Sequence, residues 1–452
     1  MSGRKLDLKT DNLWKLLCNM SLPGILGIMV ISINTFVDAL YIGNMIGRQA
    51  LAGISLYFPI SIISTSVTVL ICSGSASILS RAIGSGDNET QMKLVNTAFT
   101  MAVLASIPLM CAGLFFSETL IRLMGGYDSV LKYGSTYYKH CSMGLFFAVC
   151  GLVLNALIRS EGKMKRAMLY TAISVLLNIA LTPLLIRVFK WGIEGAAWAS
   201  NVSMIVYFLF SFLYFIYGKT SFKTGKFRLE LNRSLVTKIL SIGLSSFLLQ
   251  SGNFIRQTFI FKSVAHYGTE SDVAYLGAVF RIFSLSVTPV FGILQALQPI
   301  IGINYGAGNY LRCAQSVKVF RIGSAIFLSL IWIPLLCFPE YILATMLPEG
   351  TFSPTDVNNF RIILLTMPLL PIASSGIIFF QAIGKGTTSG MLSIGRELIL
   401  FIPLILFFPD LFGLNGIYYG IAIENACYIL IVLFFTLYEF NKLKAKPYAL
   451  LT

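Results

Sequence analysis

Residues 22–37 read LPGILGIMVISINTFV and residues 362–380 read IILLTMPLLPIASSGIIFF, two runs from opposite ends of the chain without a charged side chain in either. A helix needs about 20 such residues to cross the hydrocarbon core of a bilayer. Similar runs at 56–70 and 99–115 are set between short polar stretches, and over all 452 residues 56 % are hydrophobic and only 12 % charged. Soluble domains carry about twice that share of charge. Within the runs apolar and polar residues do not alternate as a transmembrane barrel requires, so helices must satisfy the backbone. The reading is an all-α integral membrane protein.

Twelve spans are expected, near 15–38, 52–78, 94–116, 135–158, 167–188 and 194–217, then 238–261, 274–303, 317–338, 359–382, 391–409 and 415–438. No sizeable soluble domain is left over. The first span has a basic flank but no small-residue cleavage site, so it reads as retained rather than as a signal peptide.

The net charge of +15 is unevenly placed. With the amino terminus inside, the inner segments collect Arg4, Lys5, Lys9 and Lys15, then Arg159, Lys163, Lys165 and Arg166. They also collect Lys219, Lys223, Lys226, Arg228, Arg233 and Lys238, then Arg312, Lys318 and Arg321, and finally Lys442, Lys444 and Lys446. The outer loops are poorer, holding Arg48, Arg122, Lys132, Arg187, Lys190 and Lys262 beside acids such as Glu118, Glu340, Glu349 and Asp356. This positive-inside asymmetry puts both termini in the cytoplasm of a multi-pass protein of the cell membrane, and it explains the basic charge without nucleic acid. The eight cysteines lie singly with no closely spaced pair, and His140 and His266 stand alone, so neither a disulfide framework nor a metal site is expected.

A repeat with an offset of about 222 residues runs through the chain. Gly84-Ser85-Gly86-Asp87 corresponds to Gly306-Ala307-Gly308-Asn309, each directly after a span of the same rank. Arg159 to Lys163 corresponds to Gln381 to Lys385, Pro183 to Pro403, and Gly192-Ile193-Glu194-Gly195 to Gly413-Leu414-Asn415-Gly416. Six spans per half make the halves parallel, with an amino-terminal lobe at 1–217, a cytoplasmic linker at 218–237 and a carboxy-terminal lobe at 238–452. Such lobes usually enclose a cavity. The linker reads as a solvated, partly flexible connector.

No phosphate-cradling loop is present; Gly384-Lys385-Gly386-Thr387 lacks the required spacing, and no nucleotide domain follows. An ion gradient, or that of the substrate, must therefore supply the energy. Ionisable groups at membrane depth are functional candidates by default. Asn34, Asp38 and Tyr41 share one helical face at spacings of four and three. Asp38 can bind a proton, help coordinate sodium, or lie exposed at a helix end. Asn178 and Thr182, four apart and followed by Pro183, form a second polar pair, and Ser200 adds a hydroxyl. The second half places Arg256, Arg281, Arg396, Glu397 and Glu424 at depth, where they can pair with one another or meet a charged cargo.

Taken in order, several stretches resemble the multidrug and toxic compound extrusion (MATE) family, on the bacterial branch of DinF- and MepA-type pumps. They are Pro23-Gly24 with Asn34 to Asp38, Tyr41-Ile42-Gly43, Ser80 to Asp87, Arg159-Ser160-Glu161-Gly162, Asn178 to Pro183, Gly192 to Ala197, and Gln298-Pro299 through Gly308. The resemblance covers almost the whole chain. It implies a twelve-helix, two-lobed antiporter, not an enzyme, that exports amphipathic, cationic compounds by alternating access as protons or sodium ions enter. No cofactor is implied, and the protein would act as a monomer with small molecules and the bilayer as partners. It also implies coupling at Asp38, assistance from Asn178 and Ser200, a secondary coupling role for Glu161, and a helix bend at Pro23; Asn34 and Thr182, placed by their spacing, complete the candidate cation set. Tyr41, Gln257, Arg281, Arg396 and Glu424 are candidates to line the cargo route. Many relatives carry an aspartate where this chain has Thr182, and one carboxylate fewer tilts the expectation toward protons. The acid that some members place on the seventh span finds no match at Arg256 and Gln257. The arginines also raise an alternative: a flippase for a lipid-linked saccharide, or a carrier of other amphipathic anions.

Overall fold

The computed structural model describes residues 6–217, 220–222, 227–347 and 352–445. Arg4, Lys5, Lys219, Lys223, Lys226, Glu349 and Lys446 of the charge reading, and part of the linker, lie outside them. Twelve helices among the described residues are long and apolar enough to cross a membrane. They are α1 (Leu13–Met45), α2 (Arg48–Ser85), α3 (Asn88–Leu123), α4 (Asp128–Ser160), α5 (Met164–Val188) and α6 (Gly192–Ile216), then α7 (Arg233–Tyr267), α8 (Glu270–Gly306), α9 (Tyr310–Cys337), α10 (Pro354–Ala382), α11 (Gly386–Phe412) and α12 (Leu414–Lys444). A short helix, Pro339–Met346, joins α9 to α10. Most helices outrun the apolar segments that announce them, because their polar first and last turns stay hydrogen bonded.

The repeat is visible in the turns. Gly86 and Gly308 have φ of 73° and 77°, Gly162 and Gly384 79° and 83°, and Gly192 and Gly413 55° and 58°. These are the positions matched in the sequence, and each holds a positive φ that glycine adopts without steric cost. After Gly86 the Asp87 carboxylate caps α3 by accepting from the Thr90 amide at 2.9 Å. The Thr90 hydroxyl and amide hold its carboxyl below the usual range.

The chain forms two compact units. One takes the chain up to Ile25 and again from Leu248; the other is Leu26–Phe247. The divisions fall inside α1 and α7 rather than at 217 and 238, and glycines account for this. A Cβ on Gly24 would lie 2.3 Å from the Gly292 carbonyl oxygen, so the first part of α1 lies backbone to backbone on α8. A Cβ on Gly243 would lie 2.0 Å from the Leu70 carbonyl oxygen, and one on Gly74 2.2 Å from that of Ile239, which seats the first part of α7 on α2.

In the Leu26–Phe247 unit α4 is central, touching α2, α3 and α6. A core at one end gathers Leu79, Leu94, Leu154, Ile158, Tyr214 and Leu235. At the other end Ile42, Ala50, Ile186, Ile193 and Ala196 form a smaller cluster. In the second unit α8 packs on α9 and α10, and α12 on α10 and α11.

The described part of the linker departs from a solvated connector. The backbone amides of Glu230 and Asn232 donate to the hydroxyls of Thr100 and Thr97 at 3.0 and 3.3 Å, and Phe227 packs edge-on against Phe99 and Phe212. An extended strap has backbone donors with no partners of its own. Polar residues along the first turns of α3 receive them.

Replacing Gly243 by alanine would force backbone apart and should lower stability by about 1–3 kcal/mol. At Gly390, where an added Cβ meets nothing within 4 Å, the same change should be neutral or stabilising by a few tenths of a kcal/mol. Thermal melting of the two purified variants in detergent checks the contrast.

Candidate cation site and charged cluster

Two turns before α1 ends, Asn34 and Asp38 lie one turn apart, and the Asn34 amide donates to Asp38 Oδ2 at 3.1 Å. Across from them, α5 presents the buried Asn178 and Thr182 just before Pro183. With its nitrogen toward the carboxylate, the Asn178 amide donates to Asp38 Oδ1 at 2.9 Å and to Asn34 Oδ1 at 3.0 Å. Its oxygen then accepts from the Ser200 amide and hydroxyl, each at 3.2 Å. The opposite orientation leaves only a contact with the Ser200 hydroxyl, so the first is the one that satisfies a buried amide. Thr182 Oγ1 stands 3.5 Å from Asp38 Oδ1 but donates its proton to the Asn178 carbonyl at 2.9 Å. A lone pair of the hydroxyl is left to face the acid.

Proline explains the local backbone. Pro183 lacks an N–H, and the helix continues beyond it as a wider turn, Leu184–Val188, in which the Phe189 amide reaches back to the Leu184 carbonyl. Tyr137 and Cys141, one turn apart on α4, lie within electrostatic reach of the same carboxylate. Neither stands out in the sequence, where both lie among other aromatic and small residues. Tyr41 is half-buried and outside the amide network. Among the described residues no Lys, Arg or His lies within ion-pair distance of Asp38.

Glu161 has a different environment. Its side chain is fully buried and meets Lys163 Nζ at 3.0 Å, while the Tyr214 hydroxyl donates at 3.1 Å and the Ser221 amide and hydroxyl at 2.8 and 2.7 Å. Because α1 and α4 run in opposite senses, this turn lies at the far end of the bundle from Asp38. Its counterpart turn in the second unit carries Lys385, which pairs with Glu439 on α12.

The second unit gathers four of its five deep charges. The fully buried Glu424 carboxylate accepts from Arg256 Nη1 at 2.6 Å and from Arg396 Nε at 2.8 Å. Arg256 Nη2 also reaches Glu397 at 2.9 Å, and Arg396 Nη2 donates to Asn425 Oδ1 at 2.9 Å. The two guanidinium groups lie over the rings of Phe401 and Tyr428, 4.6 and 4.5 Å from the centroids. A wide turn at Arg396–Phe401 lets the adjacent Arg396 and Glu397 both enter the cluster, and Gly252 leaves room for the Glu397 side chain. Two positive and two negative charges cancel. The fifth, Arg281, is exposed and joins none of this. Gln257 is exposed on α7, and Pro23 is buried next to the Gly24 contact.

The family model described as MatE matches residues 23–184 and 241–407. A Shewanella oneidensis protein described as an FAD transporter is 27 % identical over 434 residues, which cover 92 % of this chain and 94 % of that one. The multidrug export protein MepA of Staphylococcus aureus is 22 % identical over 418 residues, or 92 % and 91 % of the two chains. A crystal structure of MATE in the bent conformation has a TM-score of 0.90 at 24 % identity over 97 % of each chain. That likeness places the fold.

Removing one partner of a buried ion pair leaves the other charge uncompensated, at a cost of about 3–5 kcal/mol. Glu424→Gln should therefore lower the melting temperature sharply. Glu397→Gln should do so much less, because Arg256 keeps Glu424 and the Glu397 side chain is already 16 % exposed. Melting curves of both variants in detergent decide it.

Proposed function

The chain belongs to the MatE family, and on that footing we propose a secondary antiporter that exports amphipathic compounds across the cell membrane by alternating access while a cation enters at Asp38. One observation carries the reading: a carboxylate set within a membrane span, held by neutral amides, with no basic partner among the described residues. Such a charge needs a mobile cation to neutralise it.

The ligand set favours a proton. Both carboxylate oxygens already accept from amide N–H groups, which leaves few oxygen ligands facing outward for a hard metal cation. A protonated Asp38 can instead donate to the free lone pair of Thr182. Glu161, met by a lysine and three further donors, is assigned to holding the turn and the linker, and Pro23 to bending α1. The protein acts as a monomer with both termini cytoplasmic. Transport of an amphipathic anion is a second reading, supported by the description of the Shewanella relative and by the bare Arg281.

Asp38→Asn should insert normally and reduce export of ethidium from cells to background. Asn178→Ala removes one hydrogen bond that favours the ionised carboxylate, worth about 1.5 kcal/mol, and should lower the proton concentration needed for half-maximal transport roughly tenfold. In proteoliposomes an imposed pH gradient alone should drive ethidium movement, and a sodium gradient at constant pH should not. Full export by Asp38→Asn would overturn the reading.

A further inference from the structure

Gly277, Arg281, Ser284 and Thr288 follow one another on α8 at spacings of four, three and four, which aligns them along one side of the helix. Other sides of α8 are packed, with Leu276, Val279, Ile282, Val290 and Ile293 buried. The side bearing Arg281 is open: Arg281 and Ser284 are exposed, and a Cβ added at Gly277 would meet nothing within 4 Å. The Thr288 hydroxyl donates to the Ser284 carbonyl at 2.7 Å, and the Ser284 hydroxyl makes no hydrogen bond to a described residue.

Arg281 has no hydrogen bond, ion pair or ring contact with any described residue, whereas Arg256 and Arg396 are neutralised by Glu424 and Glu397 together. It is the twelfth residue of α8, roughly 16 Å along the axis from the helix start, and it is followed by Ile282 and Phe283. A guanidinium at that depth is strongly disfavoured in hydrocarbon unless it is paired or faces water. It is unpaired, and along its side Gly277, Ser284 and Thr288 are small or hydroxylic, with the exposed Leu285 the large apolar residue next to it.

We propose that Arg281 recognises the cargo by binding an anionic group, phosphate or carboxylate, on an amphipathic transported molecule, with the Ser284 hydroxyl beside it. The planar guanidinium presents a fork of N–H donors that matches two oxygens of such a group, which a lysine ammonium does not. Gly277 and Thr288 keep the approach open for the rest of the molecule. The inference rests on the transport reading above and specifies the cargo class for it.

Purified protein in phosphatidylcholine vesicles, driven by a pH gradient, would be given FAD as the anionic probe and ethidium as the cationic one. The parent should move FAD. Arg281→Gln should lower its preference for FAD over ethidium by about tenfold or more, mainly through KM, and Arg281→Lys should restore only part of it. If Arg281→Gln keeps the parent's preference, the proposal is overturned in favour of an arginine that reaches the lipid headgroups. A parent that moves ethidium but not FAD overturns the cargo class and leaves the antiport reading intact. A parent that moves neither overturns both, and Asp38→Asn tested on the same probes separates a coupling failure from a recognition failure.

Discussion

In hydrocarbon there is no water to satisfy a backbone amide or a charged side chain, so each must find its partner inside the protein. That constraint shapes every level of this molecule. It makes the spans helical throughout. Where proline interrupts α5, the chain widens its turn rather than expose the freed carbonyls. Where Glu424 is buried, two arginines converge on it. Asp38 is the exception, since amides solvate it but no described residue neutralises it.

The two units thus use one architecture for opposite electrostatic ends. Around Asp38 the hydrogen bonds orient a carboxylate without cancelling it, which leaves its charge state responsive to the surroundings. In the other unit the charges cancel one another, and the four side chains tie α7, α11 and α12 together. A balanced cluster of this kind gives little net attraction to a passing ion. A bare guanidinium on α8 then stands out against a nearly neutral background.

Much of this was legible in the residues. Runs of apolar length predict the twelve spans, and glycines at matched positions predict turns in which both members of each pair take a positive φ. The pairing of Asn34 with Asp38 follows from a spacing of four. Contacts between distant segments have no such signature: Arg256 meets Glu424 from 168 positions away, and Tyr137 comes within electrostatic reach of Asp38 from another helix. Composition cannot distinguish Arg281 from Arg396, because the difference is the presence of an acid in space. Basic composition likewise suggested a free linker, while the backbone amides of Glu230 and Asn232 and the ring of Phe227 bind its described part to α3 and α6.

The turns after α4 and α10 show what duplication preserves. Both retain a left-handed glycine, and both tie the turn to the last helix of their half. In the first the acid sits in the turn, as Glu161, and is met from α6 by Tyr214; in the second the turn supplies Lys385 and the acid, Glu439, has moved to α12. What the two turns share is a lysine, Lys163 matching Lys385, paired with an acid; what differs is the segment that supplies the acid. An acid in one half is therefore a poor guide to an acid at the matched position of the other, even where the turn glycine and the lysine are kept.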